Sequence, residues 1–258
     1  AAAINPGPRA QITAALERAA RECGYTGGFS VIISAENGEE LAKQTYNGHL
    51  GVVGGLSILG TSGVVEPMSE KALVDTILLE LDSLYAGGQR TAFLCPGNYG
   101  ADFARDTLGL DLEKAVKCSN FIGEALDHAV FRGFDDILLV GHAGKLVKLA
   151  AGVMNTHSSV ADGRQEIFTA HAALCGAGRE TLEGLMQSIS VDACIELLDR
   201  EHLREPVLAR IESEVEKRLA LRLRGRGHVE FILFTAKYGI LAQSPGAMAL
   251  CERLRESK

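Results

Sequence analysis

Two glycine-containing segments that follow apolar stretches are the places in this sequence best suited to bind a ligand. GHAGK at 141–145 follows Ile137 to Val140, and CPGNYG at 95–100 follows Thr91 to Leu94. Backbone N–H groups of such turns, together with a lysine, can bind anions. GHAGK departs from the GxxxxGK[ST] phosphate loop, because Leu146 stands where the magnesium-binding hydroxyl would be. The alternative is a tight strand-to-helix turn with an exposed lysine.

Few side chains are arranged as nucleophiles or metal ligands. Neither Ser57 nor Ser62 lies in a GxSxG motif, and no GxGxxG dinucleotide motif follows a predicted strand. Cys95, at a predicted strand end, is more typical of a small buried hydrophobic residue than of a reactive thiol. His171 and Cys175 have zinc-ligand spacing, but no second pair completes a tetrahedral site, so we expect no metal site.

The elements that must position these segments follow from the hydrophobic pattern. The predicted strands are Leu56–Leu59, Thr91–Leu94, Ile137–Val140 and Phe231–Phe234, and helical patterns lie between them. Short apolar strands that alternate with helices predict a doubly wound, mostly parallel α/β sheet covered on both faces. Ligands of such sheets bind beyond the carboxyl ends of the strands. His142 follows one strand end directly and is therefore a candidate for acid–base chemistry, with its neutral ring accepting a proton or hydrogen bond.

The pattern predicts two parts. Residues 1–52 are expected to form a smaller α+β part, with a helix from about Pro8 to Cys23 and a hairpin of Phe29–Ser34 and Leu41–Tyr46 around Asn37-Gly38. Residues 53–258 are expected to form a Rossmann-like α/β domain. Only helical patterns occur at about 155–224, which predicts a helical insertion in that domain.

Composition excludes several classes of function. A net charge of -7, from 26 Lys and Arg against 33 Asp and Glu, argues against binding nucleic acid through its phosphates. The apolar stretches are far shorter than the roughly 20 residues that span a bilayer. The six cysteines are scattered with no CxxC pair, and AAAINPGPR has no signal-peptide pattern, so we expect reduced thiols and a cytoplasmic location.

Long motifs of this chain resemble the cobalt-precorrin-5B (carbon-1)-methyltransferase family, CbiD, of anaerobic cobalamin biosynthesis. They are GGLSILGTSGVVEPMSE, CPGNYGADFAR, VGHAGKLVKLAAGVMNTHSS with the following ADGR, NPGPR near the start and FTAKYGILAQS near the end. The likeness covers essentially the whole chain. Family members also carry an N-terminal region with a Gly-Thr-Thr-Gly-like segment that has no counterpart before Ala1, so we expect this chain to be a fragment.

The resemblance implies transfer of a methyl group from S-adenosylmethionine to ring carbon 1 of cobalt-precorrin-5B. Cobalt would be present only as part of that substrate. Because methyl transfer from a sulfonium is an in-line displacement, most of the acceleration can come from holding the two carbons in position. The alternative is a non-catalytic corrinoid- or nucleotide-binding module, since the chain has no evident nucleophile, metal cluster or triad.

We expect three groups of site residues. The glycine turns at adjacent strand ends are expected to bind the methyl donor, and their residues are Gly54, Gly55, Gly60, Thr61, Ser62, Gly63, Cys95, Pro96, Gly97 and Asn98. The acceptor carries carboxylate arms and is expected to contact Lys145, His157, Asp162, Arg164 and Lys237. His142 or Glu66 is the candidate base. The sequence leaves a homo-oligomer open.

Overall fold

The structure is a computed structural model that describes residues 2–43, 45, 48, 51–58 and 69–256. The density of internal contacts divides the chain into two units, Ala1–Met68 and Ser69–Lys258. The helices among the described residues are each too short or too polar to span a lipid bilayer.

The described residues of the first unit form two α-helices and an isolated parallel bridge between Ile4 and Ile58. Helix α1 (Pro6–Cys23) has proline in its first turn and ends at Gly24, whose φ of 63° is left-handed. Helix α2 is Gly38–Ala42.

The hairpin predicted in the first unit is wrong. Residues 29–34 form no strand, and residues 38–42 of the expected second strand are helical. Asn37 does adopt a left-handed turn conformation with φ 54°, but the turn leads into a helix because Glu39 and Glu40 suit a first helical turn. Tyr46 lies outside the described residues.

The second unit is built on a five-stranded sheet of order β2-β1-β3-β4-β5. Its strands are β1 (Thr91–Leu94), β2 (Ala115–Val116), β3 (Asp136–His142), β4 (His228–Thr235) and β5 (Gly239–Gln243). Strands β2, β1, β3 and β4 are parallel, and β5 is antiparallel to β4. The mostly parallel α/β sheet expected from the sequence is thus confirmed.

Helices cover both faces of this sheet. They are α3 (Glu70–Ala86), α4 (Asn98–Asp106), α5 (Ile122–Arg132), α6 (Ala143–Leu146), α7 (Arg164–Leu174), α8 (Arg179–Gln187), α9 (Val191–Arg200), α10 (Arg204–Leu223) and α11 (Ala247–Glu256), with 3-10 turns at Leu112–Lys114 and Val147–Ala151. Residues of β3 alternate between the two cores: Ile137 and Leu139 pack in the larger one, with α3, α5 and α10. Leu138 and Val140 pack in the smaller one, with α4 and α11.

The expected strand Leu56–Leu59 is not part of this sheet. Residues 56 and 57 are irregular, Ile58 makes only the bridge to Ile4, and Leu59 is outside the described residues. Two strands that were not expected complete the sheet. β2 has only two residues, too few for a pattern, and β5 begins with Gly239 in a left-handed conformation, φ 68°.

The strand order creates a crevice between β1 and β3. The chain leaves β1 towards β2 on one side, whereas β3 lies on the other side, so the connections diverge at the carboxyl ends of these two strands. Such switch points are the ligand sites of doubly wound sheets. Helix α4 packs closely against this edge: a Cβ at Gly100 would lie 2.7 Å from the carbonyl oxygen of Val140.

We therefore expect Gly100→Ala to destabilise the protein by about 1–3 kcal/mol, because the added methyl group must displace backbone. Gly178→Ala is a matched control, since a Cβ there meets no atom within 4 Å. Thermal unfolding of both variants measures the difference in Tm. A Gly100→Ala protein as stable as the control would show that α4 does not pack on the end of β3 as described.

Candidate functional site

A cleft of about 590 Å³ lies at the carboxyl ends of β1 and β3. It lies within the second unit. Its lining comes from the turn after β1, the segment after β3, the loop before α7 and the start of α9, and consists of Pro96, Gly97, Asn98, Tyr99, Asn120, His142, Gly144, Lys145, Lys148, Thr156, His157, Ser158, Arg164, Ser190 and Val191.

The turn after β1 approaches the cleft as backbone rather than as side chains. Gly97 has a φ of 92°, a conformation that favours glycine, and a Cβ there would lie 3.4 Å from Nζ of Lys145. Gly97 is the N-cap of α4, and Asn98 is the first helical residue. The turn therefore places a lysine directly beside exposed backbone.

His142 ends β3 and caps α6. Its Nδ1 accepts a hydrogen bond of 3.1 Å from the backbone N–H of Gly144. A backbone N–H can only donate, so in the neutral ring the proton is on Nε2. Burial lowers the pKa of His142, with Arg164 acting in the same direction and Asp192 in the opposite one. The neutral ring therefore offers the cleft a donor, and we do not retain the proton-accepting role suggested by the sequence.

His157 has the same arrangement on the loop before α7. Its Nδ1 accepts a hydrogen bond of 3.2 Å from the backbone N–H of Ser159 and lies 2.6 Å from Oγ of that serine. The ring itself is exposed. In the neutral form its free nitrogen, Nε2, is again an N–H donor.

Lys145 projects from α6 beneath the turn after β1. Its Nζ donates a hydrogen bond of 3.2 Å to the carbonyl oxygen of Ser119, a residue whose left-handed φ of 51° is unusual for a residue with a side chain. Burial lowers the pKa of Lys145, partly offset by Cys118. The ammonium group has only a neutral carbonyl as its hydrogen-bond partner among the described contacts, so its positive charge is available to a ligand.

Lys148 fixes the loop that forms the opposite wall. Only 2% of it is exposed, and its Nζ donates to the carbonyl oxygens of Thr156 at 3.1 Å and Ala161 at 2.8 Å. The same Nζ lies 3.8 Å from Oδ1 of Asp162. Burial lowers the pKa of Lys148, and Asp162 opposes that shift.

Asp162 in turn orients Arg164. Nε and Nη2 of Arg164 donate to the two carboxylate oxygens at 2.7 and 2.6 Å, a bidentate pair. These hydrogen bonds are the main cause of the lowered pKa of Asp162. Lys148, Asp162 and Arg164 thus form a chain of contacts from the buried wall to the cleft. Of the residues expected to bind the acceptor, Lys145, His157 and Arg164 line the cleft, and Asp162 lies behind Arg164.

The remaining expected residues lie elsewhere. Cys95 is fully buried and does not line the cleft; burial, with a smaller effect of Cys118, raises its pKa well above its ordinary value, which fits a small hydrophobic residue. Lys237 is exposed, pairs with Glu196 at 2.5 Å and is not part of the cleft lining. Gly54 and Gly55 belong to the first unit. The residues outside the described part are Gly60, Thr61, Ser62, Gly63 and Glu66.

Among the cleft residues that sequence reasoning missed are Lys148 and Tyr99. Lys148 had a signal, since it is the one charged residue in the otherwise apolar run LVKLAAG, and a lysine at a buried position needs partners. Tyr99 had a weaker one, as an aromatic residue directly after Gly97-Asn98; it is 76% exposed. Within the described ranges, no group of three or more potential metal ligands comes together.

The cleft offers hydrogen-bond donors and positive charge. Three lining residues are cationic, two histidines present N–H groups when neutral, and none of the lining residues in the described part is acidic. These features define a class: a doubly wound α/β protein with a cation-lined cleft at the switch point of its sheet.

Comparisons with known proteins narrow this structural class to one protein family. Residues 1–67 match the family model CbiD, and residues 155–245 match the model of the CbiD C-terminal domain. A curated protein of Ruminiclostridium cellulolyticum, named cobalt-precorrin-5B C(1)-methyltransferase, is 51% identical to this chain over 91% of this chain and 61% of that protein. A protein of the same name from Photorhabdus laumondii is 42% identical over 98% of this chain and 67% of that protein. A solved structure, described as cobalamin biosynthesis protein (cbiD) from Archaeoglobus fulgidus, matches 64% of this chain and 52% of that one at 29% identity, with a TM-score of 0.25.

This chain therefore belongs to the CbiD family. The chain spans between 61% and 67% of the length of the two curated relatives.

The contacts of Lys148 predict the behaviour of a Lys148→Met protein. The substitution leaves the carbonyl oxygens of Thr156 and Ala161 without their donor. We therefore expect the free energy of unfolding of the variant to be lower by about 1–3 kcal/mol. Cleavage by added protease is expected to increase between residues 155 and 163. Lys145→Met, which removes one hydrogen bond to a carbonyl, is the comparison and should lose less. Equal losses in the two variants would contradict the role assigned to Lys148.

The lowered pKa of His142 predicts a pH effect on stability. The unfolded chain takes up the proton near pH 6.5, whereas the folded protein resists it, so stability decreases as the pH falls below that value towards the lower folded pKa. His142→Asn keeps a side chain that can cap α6 and removes this titration. Tm should therefore fall less in the variant between about pH 7 and pH 5.5, and equal falls would contradict the buried neutral ring.

Proposed function

We propose that this chain is the major part of a cobalt-precorrin-5B C(1)-methyltransferase, which transfers a methyl group from S-adenosylmethionine to ring carbon 1 of the macrocycle. The observation that carries the proposal is the 51% identity over 91% of the chain to a protein of that name. A cleft with several donors at the switch point is compatible with such a reaction, because the macrocycle bears carboxylate arms.

The reaction is an in-line displacement. An electron pair of the conjugated ring forms the new bond from carbon 1 to the methyl carbon, while the bond from that carbon to sulfur breaks and its electron pair stays on sulfur, giving S-adenosylhomocysteine. Little covalent chemistry is required of the protein. Its contribution is to hold the two carbons about 3–3.5 Å apart and aligned, and to exclude water.

The residues of the cleft suit positioning. Lys145 and Arg164 can bind carboxylate groups, and the neutral His142 can donate a hydrogen bond to an oxygen or nitrogen atom of the ligand. Glu66 remains the candidate for a base. Gly54, Gly55, Gly60, Thr61, Ser62 and Gly63 remain candidates for contacts with the methyl donor.

The test is methyl transfer itself. Full-length protein is incubated anaerobically with labelled S-adenosylmethionine and cobalt-precorrin-5B, and the label is sought on the macrocycle. We expect label on ring carbon 1. Binding of both ligands without transfer would contradict the proposal and favour the alternative, a non-catalytic corrinoid- or nucleotide-binding module.

The geometry of Arg164 predicts a kinetic effect in the same assay. Arg164→Gln removes a charge-assisted hydrogen bond to the substrate, worth about 1.5–3 kcal/mol, so KM for the corrin substrate should rise by about tenfold to hundredfold with a smaller change in kcat. Arg179→Gln removes an equally charged side chain, 91% exposed and outside the cleft, and serves as the control. An unchanged KM in a folded Arg164→Gln enzyme would remove Arg164 from the binding site.

A further inference from the structure

The cleft at the ends of β1 and β3 brings together residues that the sequence assigned to two ligands. Pro96, Gly97 and Asn98 were expected to bind the methyl donor, and Lys145 and Arg164 the acceptor, yet all of them line one cleft. The charges and hydrogen-bonding groups of the lining decide which ligand fits.

The lining is unsuited to the methyl donor. S-adenosylmethionine carries a positive sulfonium, a positive ammonium group and a single carboxylate, so its methionine end is a net cation that needs acceptors and negative charge. The cleft presents Lys145, Lys148 and Arg164, and its described lining holds no carboxylate. The nearby Asp162 pairs with Arg164 and offsets one of these three charges, which leaves the cleft with an excess of positive charge, and Asp192 lies outside the lining.

The two histidines of the cleft also favour an anionic ligand over the methyl donor. Nδ1 of His142 and Nδ1 of His157 both accept backbone N–H groups, so in the neutral form of each ring Nε2 carries the proton and is a hydrogen-bond donor. Both residues line the cleft. A ligand with several carboxylate groups satisfies such donors. Coulomb attraction from the neighbouring cations acts on the same groups.

Tyr99 adds a flat surface to this set of donors. It lies in the first turn of α4 and is 76% exposed, and its ring centroid is 6.1 Å from that of His142. A large exposed aromatic ring beside a polar cleft is suited to pack against a flat conjugated body. An edge of a tetrapyrrole offers such a body together with carboxylate arms.

From these observations we propose that this cleft binds the carboxylate-bearing macrocycle, with Tyr99 packed against its conjugated edge and Lys145 and Arg164 binding its arms, and that the nucleoside and methionine parts of the methyl donor lie outside the cleft, so that only the sulfonium methyl group reaches ring carbon 1. The assignment rests on the proposed function for the identity of the macrocycle. It goes further by assigning the lining of this cleft to one of the two ligands and by giving Tyr99 a role in binding.

Equilibrium binding to full-length protein tests the assignment without turnover. The probes are uroporphyrin III, a stable tetrapyrrole with acetate and propionate arms, followed by its absorbance, and S-adenosylhomocysteine, followed by calorimetry. Lys145→Met and Arg164→Gln should each weaken uroporphyrin binding about tenfold or more. They should change the Kd of S-adenosylhomocysteine by less than about twofold, and added salt should weaken uroporphyrin binding.

The tyrosine is tested by a matched pair. Tyr99→Ala should weaken uroporphyrin binding about fivefold to tenfold, whereas Tyr99→Phe, which keeps the ring, should not. Arg179→Gln, outside the cleft, controls for non-specific attraction of the anionic probe.

Three results would overturn the assignment: weakened binding of S-adenosylhomocysteine with unchanged binding of uroporphyrin, equal weakening of both in folded variants, or no effect on either. Failure of the proposed function is a different result. It would be seen as normal uroporphyrin binding in the cleft without methyl transfer to cobalt-precorrin-5B.

Discussion

A buried ammonium group fixes the geometry of the cleft. Lys148 is almost wholly withdrawn from solvent, and a buried charge without partners would cost several kcal/mol. Two carbonyl oxygens and the carboxylate of Asp162 offset that cost. Because those partners lie on the loop before α7, the loop is held where it forms one wall of the cleft. Arg164, at the end of the same loop, is thereby held in a defined orientation.

The donor character of the cleft follows from local backbone geometry. His142 caps α6 with Nδ1, and His157 uses Nδ1 for the N–H of Ser159. Each ring has one nitrogen committed to a backbone donor, so the other nitrogen of the neutral ring must carry the proton. Burial of His142 keeps the neutral ring favoured at neutral pH. His142, which the sequence suggested as a candidate base, is thus a hydrogen-bond donor in its neutral form, and so is His157, which was expected to contact the acceptor.

Sequence alone predicted the central strands and much of the cleft. The apolar runs at β1, β3 and β4 are long enough to show a pattern, and the carboxyl ends of parallel strands share one edge, which is why Gly97 and Lys145 come together. The hairpin in residues 29–46 failed because the turn at Asn37 is compatible with either a strand or a helix after it. Cys95 was expected in the ligand site because it follows a strand, but it is buried in the core. Position directly after a strand therefore does not by itself place a side chain in the cleft. The hydrogen bonds of Lys148 to the loop before α7 depend on the tertiary structure, so the local sequence pattern could not predict them.

A crystal structure of the full-length protein with a bound carboxylate-bearing tetrapyrrole and S-adenosylhomocysteine tests the central claim most directly. The account predicts carboxylate oxygens of the tetrapyrrole within hydrogen-bond distance of Nζ of Lys145 and the guanidinium of Arg164, with the ring of Tyr99 against the conjugated edge and the nucleoside elsewhere. Electron density for the nucleoside between the turn after β1 and Lys145 would contradict it.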